Sequence, residues 1–94
     1  MEVKAKEVSD ILKVISNVNR LMILCILEEG EKTVSDLNKK INGITMPALS
    51  QHLSSLKLAG IIKSEKKGLN VFYQISDYRI IEVIKVLKDV YCKD

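Results

Sequence analysis

The side chains with recognisable chemistry fall in three places. Between Thr45 and Lys57, Leu49, Leu53 and Leu56 recur at the helical period, while Ser50, Gln51, Ser54 and Ser55 occupy other faces. Short hydroxyls and an amide can approach base edges and phosphates closely, so this face suits a nucleic acid, although an ordinary solvated face has the same composition. Lys66, Lys67 and Asn70 surround the Gly68-Leu69 turn and suit phosphate contact, again against the plainer alternative of surface polarity. The third group is Cys25, inside the apolar run Leu21–Leu27, and Cys92, near the chain end.

Each thiol has a bland explanation beside the chemical one. A cysteine inside an apolar helix packs as a small hydrophobe. Cys92 is more accessible by position, and Lys88 one turn earlier is placed to stabilise a thiolate, while the C-terminal end of a helix opposes negative charge. His52, the single histidine, fits a capping or packing role and a phosphate contact equally well. Two Cys and one His fall short of the about four ligands of a structural zinc site, so no metal and no cofactor is expected. Glu28, Glu29 and Glu31 have no second acidic cluster for acid/base work, and no nucleophile turn is present, which leaves an enzyme unsupported.

Positioning these groups requires a small, mainly helical domain. The chain has 94 residues, 47% apolar but only four Tyr or Phe, so its core must be built from Leu, Ile and Val. Fifteen basic against twelve acidic residues give a net charge of +3, which permits nucleic-acid binding without demanding it. No apolar run approaches the roughly 20 residues that span a bilayer and no signal-peptide core follows Met1, so a soluble, cytoplasmic protein without membrane contact is expected. Val8, Ile11, Leu12, Ile15 and Val18 predict a first helix, and Arg20 to Leu27 a central one. Thr33-Val34-Ser35-Asp36 has capping-box character and opens a third helix to Ile41. Asn42-Gly43 makes a turn, after which Thr45 caps a fourth helix with Pro47 in its first turn. That pair of helices is a helix-turn-helix candidate. Ile61–Lys66 and Val71–Ile75 predict a β-hairpin, and Ile80, Ile84, Leu87 and Tyr91, widened by Ile81, Val83 and Val90, predict a last helix with two faces to cover. The fold class is therefore mainly α with a small hairpin: about five helices and a two-stranded wing, in one domain over residues 1–94.

Across nearly its whole length the sequence resembles winged-helix repressors of the ArsR/SmtB family. The carriers are Asn19-Arg20-Leu21, Val34-Ser35-Asp36-Leu37, Ala48-Leu49-Ser50-Gln51-His52-Leu53, Ala59-Gly60-Ile61-Ile62 and Phe72-Tyr73-Gln74-Ile75. The resemblance implies a homodimer paired through the first and last helices, with recognition helices in successive major grooves of an imperfect palindrome in double-stranded DNA. It places Thr45, Met46, Pro47, Ser50, Gln51, His52, Ser54 and Ser55, with Lys66, Lys67 and Asn70 of the wing, at the DNA. The sequence departs from the family in a turn, Ile41–Ile44, that is one residue longer than usual, and in Met46, where many relatives carry Gln. It also lacks the cysteine-rich stretch and the last-helix histidines that metal-sensing relatives use. The positions of Cys25 and Cys92 match instead the dithiol subgroup that includes HlyU, BigR and SqrR, which implies release from DNA when oxidation or persulfidation links the two sulfurs. The alternatives are a repressor with structural cysteines that answers another ligand or none, and a winged helix used for protein docking.

Overall fold

Each helix with a described N-cap begins where a side chain replaces a missing backbone partner. Asn17 Oδ1 accepts from the Arg20 N–H, Thr33 Oγ1 from Asp36, Thr45 Oγ1 from Ala48 and Asp77 Oδ1 from Arg79. At Thr33 the exchange is reciprocal, because the Asp36 carboxylate accepts the Thr33 N–H at 3.0 Å. A computed structural model describes residues 2–92, with side chains from residue 4. Its elements are α1 (Glu2–Ile15), α2 (Val18–Leu27), β1 (Lys32–Thr33), α3 (Val34–Lys40), α4 (Met46–Leu58), β2 (Ile62–Lys67), β3 (Asn70–Ile75) and α5 (Tyr78–Tyr91).

The expected architecture is present with two differences. The wing has three strands in the order β1-β3-β2, since Lys32 and Thr33 pair antiparallel with Tyr73 and Phe72 on the free edge of β3. Val18 belongs to α2, not the first helix. The chain breaks at Ser16, Asn17 caps the new helix, and Val18 is left 74% exposed.

The core is aliphatic, as the composition requires. Ile23, Leu24 and Leu27 of α2 meet Leu37 of α3, Leu49, Leu53 and Leu56 of α4, Ile61, Ile62 and Ile75 around the sheet, and Ile80 and Ile84 of α5. Shortening any of these leucines to Ala should cost about 2–5 kcal/mol, because the close-packed surroundings cannot collapse into the gap. This packing fixes the roll of α4 about its axis and so determines which of its side chains face outward. Gly43 (φ 79°) allows the α3–α4 turn, and Asn38 Nδ2 donates to the Ile44 carbonyl at 3.3 Å, closing it. Gly68 (φ 64°) takes the first turn position between Lys67 and Asn70, which are paired in the ladder. Among the described residues no helix is long and apolar enough to cross a membrane.

Candidate nucleic-acid interface and thiol pocket

With Leu49, Leu53 and Leu56 buried, α4 turns Met46, Pro47, Ser50, Gln51 and Ser54 to the surface. Ala48, His52 and Ser55 form a half-buried row at the border of that face. Thr45 is exposed at the cap, and no acidic residue lies in the first turn, so the positive end of the helix dipole is left uncompensated. Lys57 at the far end donates to Ser64 Oγ at 2.7 Å, fastening α4 to β2. The structure thus brings the helix residues named from sequence onto one side of one rigid element.

The wing residues divide. Lys66 and Asn70 are exposed. Lys67 is engaged, its Nζ 2.9 and 3.0 Å from the Glu31 carboxylate oxygens and 5.5 Å from the Phe72 ring centre. The Glu31 hydrogen bond raises the Lys67 pKa above its ordinary value. A phosphate contact by Lys67 would have to exchange with this pair. Such an exchange is cheap at the surface, where an ion pair contributes about 0–1 kcal/mol.

His52 has a partner that its position in the sequence does not reveal. Arg20 Nε donates to His52 Nδ1 at 3.1 Å, and Arg20 Nη1 donates to the Val14 carbonyl at 3.0 Å.

The cysteines, 67 positions apart in sequence, line one apolar hollow of about 640 Å³ together with Leu21, Met22 and Ile26, and with Glu29 and Lys40. Cys25 is half-buried and Cys92 exposed, and both are free thiols. Burial pushes the Cys25 thiol pKa up, a shift that Lys88 only partly offsets. At Cys25 the effect of Lys88 is thus outweighed by burial. Its Nζ donates to the Cys25 carbonyl at 3.2 Å, to Glu28 at 2.9 Å and to Glu29 at 3.3 Å, while its own carbonyl accepts the Cys92 N–H at 2.9 Å. Only the contact at Cys25 is made by the Lys88 side chain; the bond to Cys92 is the last backbone turn of α5. The Lys88 hydrogen bond lowers the Glu29 pKa, and the Glu28 hydrogen bond raises that of Lys88. Lys40 reaches Glu29 at 3.7 Å, so the acidic stretch is neutralised from α5 and from α3. Among the described residues no group of three or more His, Cys, Asp or Glu is placed to hold a metal ion. The sequence places Lys88 near Cys92 but does not reveal its tie to Glu28, nor the partners of Arg20 and Glu31, because these lie 60, 32 and 36 positions away.

Comparison with known proteins agrees with this geometry. The family model for the bacterial regulatory protein, arsR family, matches residues 17–64, which hold the helix-turn-helix and the start of the wing. A biofilm growth-associated repressor of Xylella fastidiosa is 36% identical over 92 residues, covering 98% of this chain and 80% of that protein. The transcriptional activator HlyU of Vibrio cholerae is 33% identical over 93 residues, covering 99% and 85%. The solved structure of HlyU from Vibrio cholerae N16961 superposes with a TM-score of 0.92 over 99% of this chain and 100% of that one. The structure of the transcriptional repressor BigR from Xylella fastidiosa superposes at 0.86, with 36% identity, over 98% and 90%. With a helix-turn-helix and wing that match theirs, the chain belongs to the ArsR family and is a winged-helix, DNA-binding transcriptional regulator rather than an enzyme.

Proposed function

We propose that this regulator is a homodimeric repressor that lets go of its operator when Cys25 and Cys92 become covalently linked. The observation that carries the reading is the shared hollow. Two thiols far apart in sequence line the same apolar depression, and Lys88, on the helix that ends at Cys92, donates to the Cys25 carbonyl. A solved relative described as reduced HlyU, 33% identical to this chain, supports a role for thiol oxidation state. The repressor sense follows the Xylella and Agrobacterium relatives, both described as biofilm growth-associated repressors.

The dimer is supported by unpartnered apolar surface. Val8 and Leu12 of α1 and Val83, Val86, Leu87 and Val90 of α5 are exposed on a 94-residue domain. A second copy across α1 and α5 would cover them and set two α4 helices one DNA turn apart, about 34 Å, on an imperfect palindrome. In that arrangement Ser50, Gln51 and Ser54 face base edges, while Thr45, Met46, Pro47, His52 and Ser55 border them. Lys66, Lys67 and Asn70 carry the wing to the flanking backbone.

Cys92, the exposed thiol, reacts first. Its thiolate takes a sulfur from a persulfide donor, becoming Cys92–S–SH while the donor leaves as a thiol. The Cys25 thiolate then attacks the Cys92 sulfur, forming the disulfide and expelling hydrosulfide. A peroxide reaches the same disulfide through a sulfenic acid at Cys92, with water as the leaving group. The bond moves the end of α5 toward α2 and biases the dimer to a spacing that no longer fits successive grooves.

The test is Cys25→Ser, which should bind operator as the reduced wild type does and stay bound after persulfide treatment. Release of the variant from DNA would contradict the switch. A second reading, a repressor with structural cysteines, is favoured by the raised pKa of Cys25, and the same experiment separates the two.

A further inference from the structure

We infer that Arg20 is a positioning residue for DNA binding. It holds His52 in the neutral tautomer protonated at Nε2, so that this N–H is presented to a DNA phosphate. The inference rests on α4 being the DNA-facing helix.

The argument begins with what a guanidinium can do. Arginine carries only donors and stays protonated, so the nitrogen 3.1 Å from Arg20 Nε must be an acceptor. An imidazole nitrogen accepts only when it bears no proton. Nδ1 of His52 is therefore bare, and the ring's one proton sits on Nε2. An imidazolium, with both nitrogens protonated, would leave the Arg20 donor without a partner. A flipped ring would set a C–H against it.

Arg20 is itself held from two sides. Its backbone N–H donates to the Asn17 cap at 3.1 Å. Its Nη1 donates to the Val14 carbonyl, one of the last four carbonyls of α1, which have no partner within the helix. The guanidinium thus bridges the end of α1, the start of α2 and the middle of α4, and its direction is set before DNA arrives.

The other nitrogen is available. Among the described residues His52 Nε2 has no hydrogen-bond partner, and none of the buried side-chain nitrogens or oxygens lacks one, so Nε2 reaches solvent. His52 stands in the half-buried row of α4, beside exposed Gln51. A donor at that border meets the sugar-phosphate backbone at the edge of the groove rather than base edges. Such a contact fixes register on the duplex and carries no sequence preference. Packing and phosphate contact are then two ends of one imidazole.

The test uses the full chain, with thiols reduced, and a duplex from immediately upstream of its own gene. Because the chain has a single histidine, long-range ¹⁵N–¹H correlation reads its tautomer without ambiguity. At neutral pH the wild type should show the Nε2–H form, and Arg20→Met should show a mixture. An Nδ1–H form or an imidazolium in the wild type, or unchanged populations in the variant, would overturn the inference.

Affinity supplies the second arm. Asn places an amide oxygen near the Nδ1 position, and Gln places an amide N–H near Nε2. His52→Asn keeps the acceptor for Arg20 and loses the phosphate donor, so it should bind about tenfold more weakly or worse. His52→Gln should stay within about threefold of wild type, as expected when a hydrogen bond to a charged group is kept. The donor is neutral, so the slope of log affinity on log salt should be unchanged in His52→Asn, whereas loss of a cationic contact lowers it by about one. Wild-type affinity in His52→Asn, or a slope reduced by that amount, would overturn the phosphate role. Failure of the wild type to bind any duplex would overturn the DNA-facing placement of α4, while the tautomer measurement would still decide the role of Arg20.

Discussion

Replacing Val86 with Asp tests how the exposed face of α5 is used. Val86 is 57% exposed in the single chain. Full burial of a valine stabilises by about 2 kcal/mol, so the area still open is worth roughly 1 kcal/mol. In a two-fold dimer the residue occurs twice, which doubles the loss to about 2 kcal/mol, equivalent to a roughly 30-fold weaker dimer. That is a lower bound, because the substitution also places one carboxylate from each copy in an apolar interface. The fold should survive, since Val86 is not among the buried residues of the core. Sedimentation equilibrium across micromolar concentrations should show the wild type as a dimer and Val86→Asp shifted to monomer, with a parallel loss of operator affinity. A variant that remained as dimeric as the wild type would refute the assignment of this face to a second copy.

Three further outcomes follow from the site. Gln51→Ala should weaken operator binding by about 1–3 kcal/mol and reduce discrimination against random duplex, measured by competition anisotropy; undiminished discrimination would remove Gln51 from base readout. Iodoacetamide labelling followed by mass spectrometry should modify Cys92 before Cys25, because Cys92 is exposed and burial raises the Cys25 pKa; equal rates would contradict that order. The Lys88 cluster should give a pH dependence of known sign. Glu29 is depressed below its ordinary 4.5, so its stabilisation is present above that pH and lost as pH falls through the lower folded value. Lys88 is raised above its ordinary 10.5, so its share is lost only as pH rises past that value. Between pH 7 and pH 3 the urea midpoint of the wild type should therefore fall further than that of Lys88→Met, and parallel declines would contradict the pairing.

What could be read from sequence was local in origin. Thr33 with Asp36, Thr45 with Pro47, and the spacing of Leu49, Leu53 and Leu56 each signal through neighbours within one helical turn. The helix-turn-helix and its outward face followed from them. Val18 continues the apolar period of the first helix, but Asn17 before it is a cap signal that overrides the period. The third strand has no local signal, because Lys32 and Thr33 become a strand only through Tyr73 and Phe72, about forty positions later. The same holds for the side-chain ties. That Lys67 is taken by Glu31, that Arg20 meets His52, and that Lys88 reaches the Cys25 carbonyl are all products of tertiary packing.

The most direct test of the central claim is fluorescence anisotropy of the full chain on its own upstream DNA, first with reduced thiols and then after a persulfide donor. Tight binding that is lost on treatment, with a mass change matching a Cys25–Cys92 bridge, and is restored by reductant is the predicted result. Equal binding in both states would contradict it, leaving a regulator whose cysteines serve only its packing.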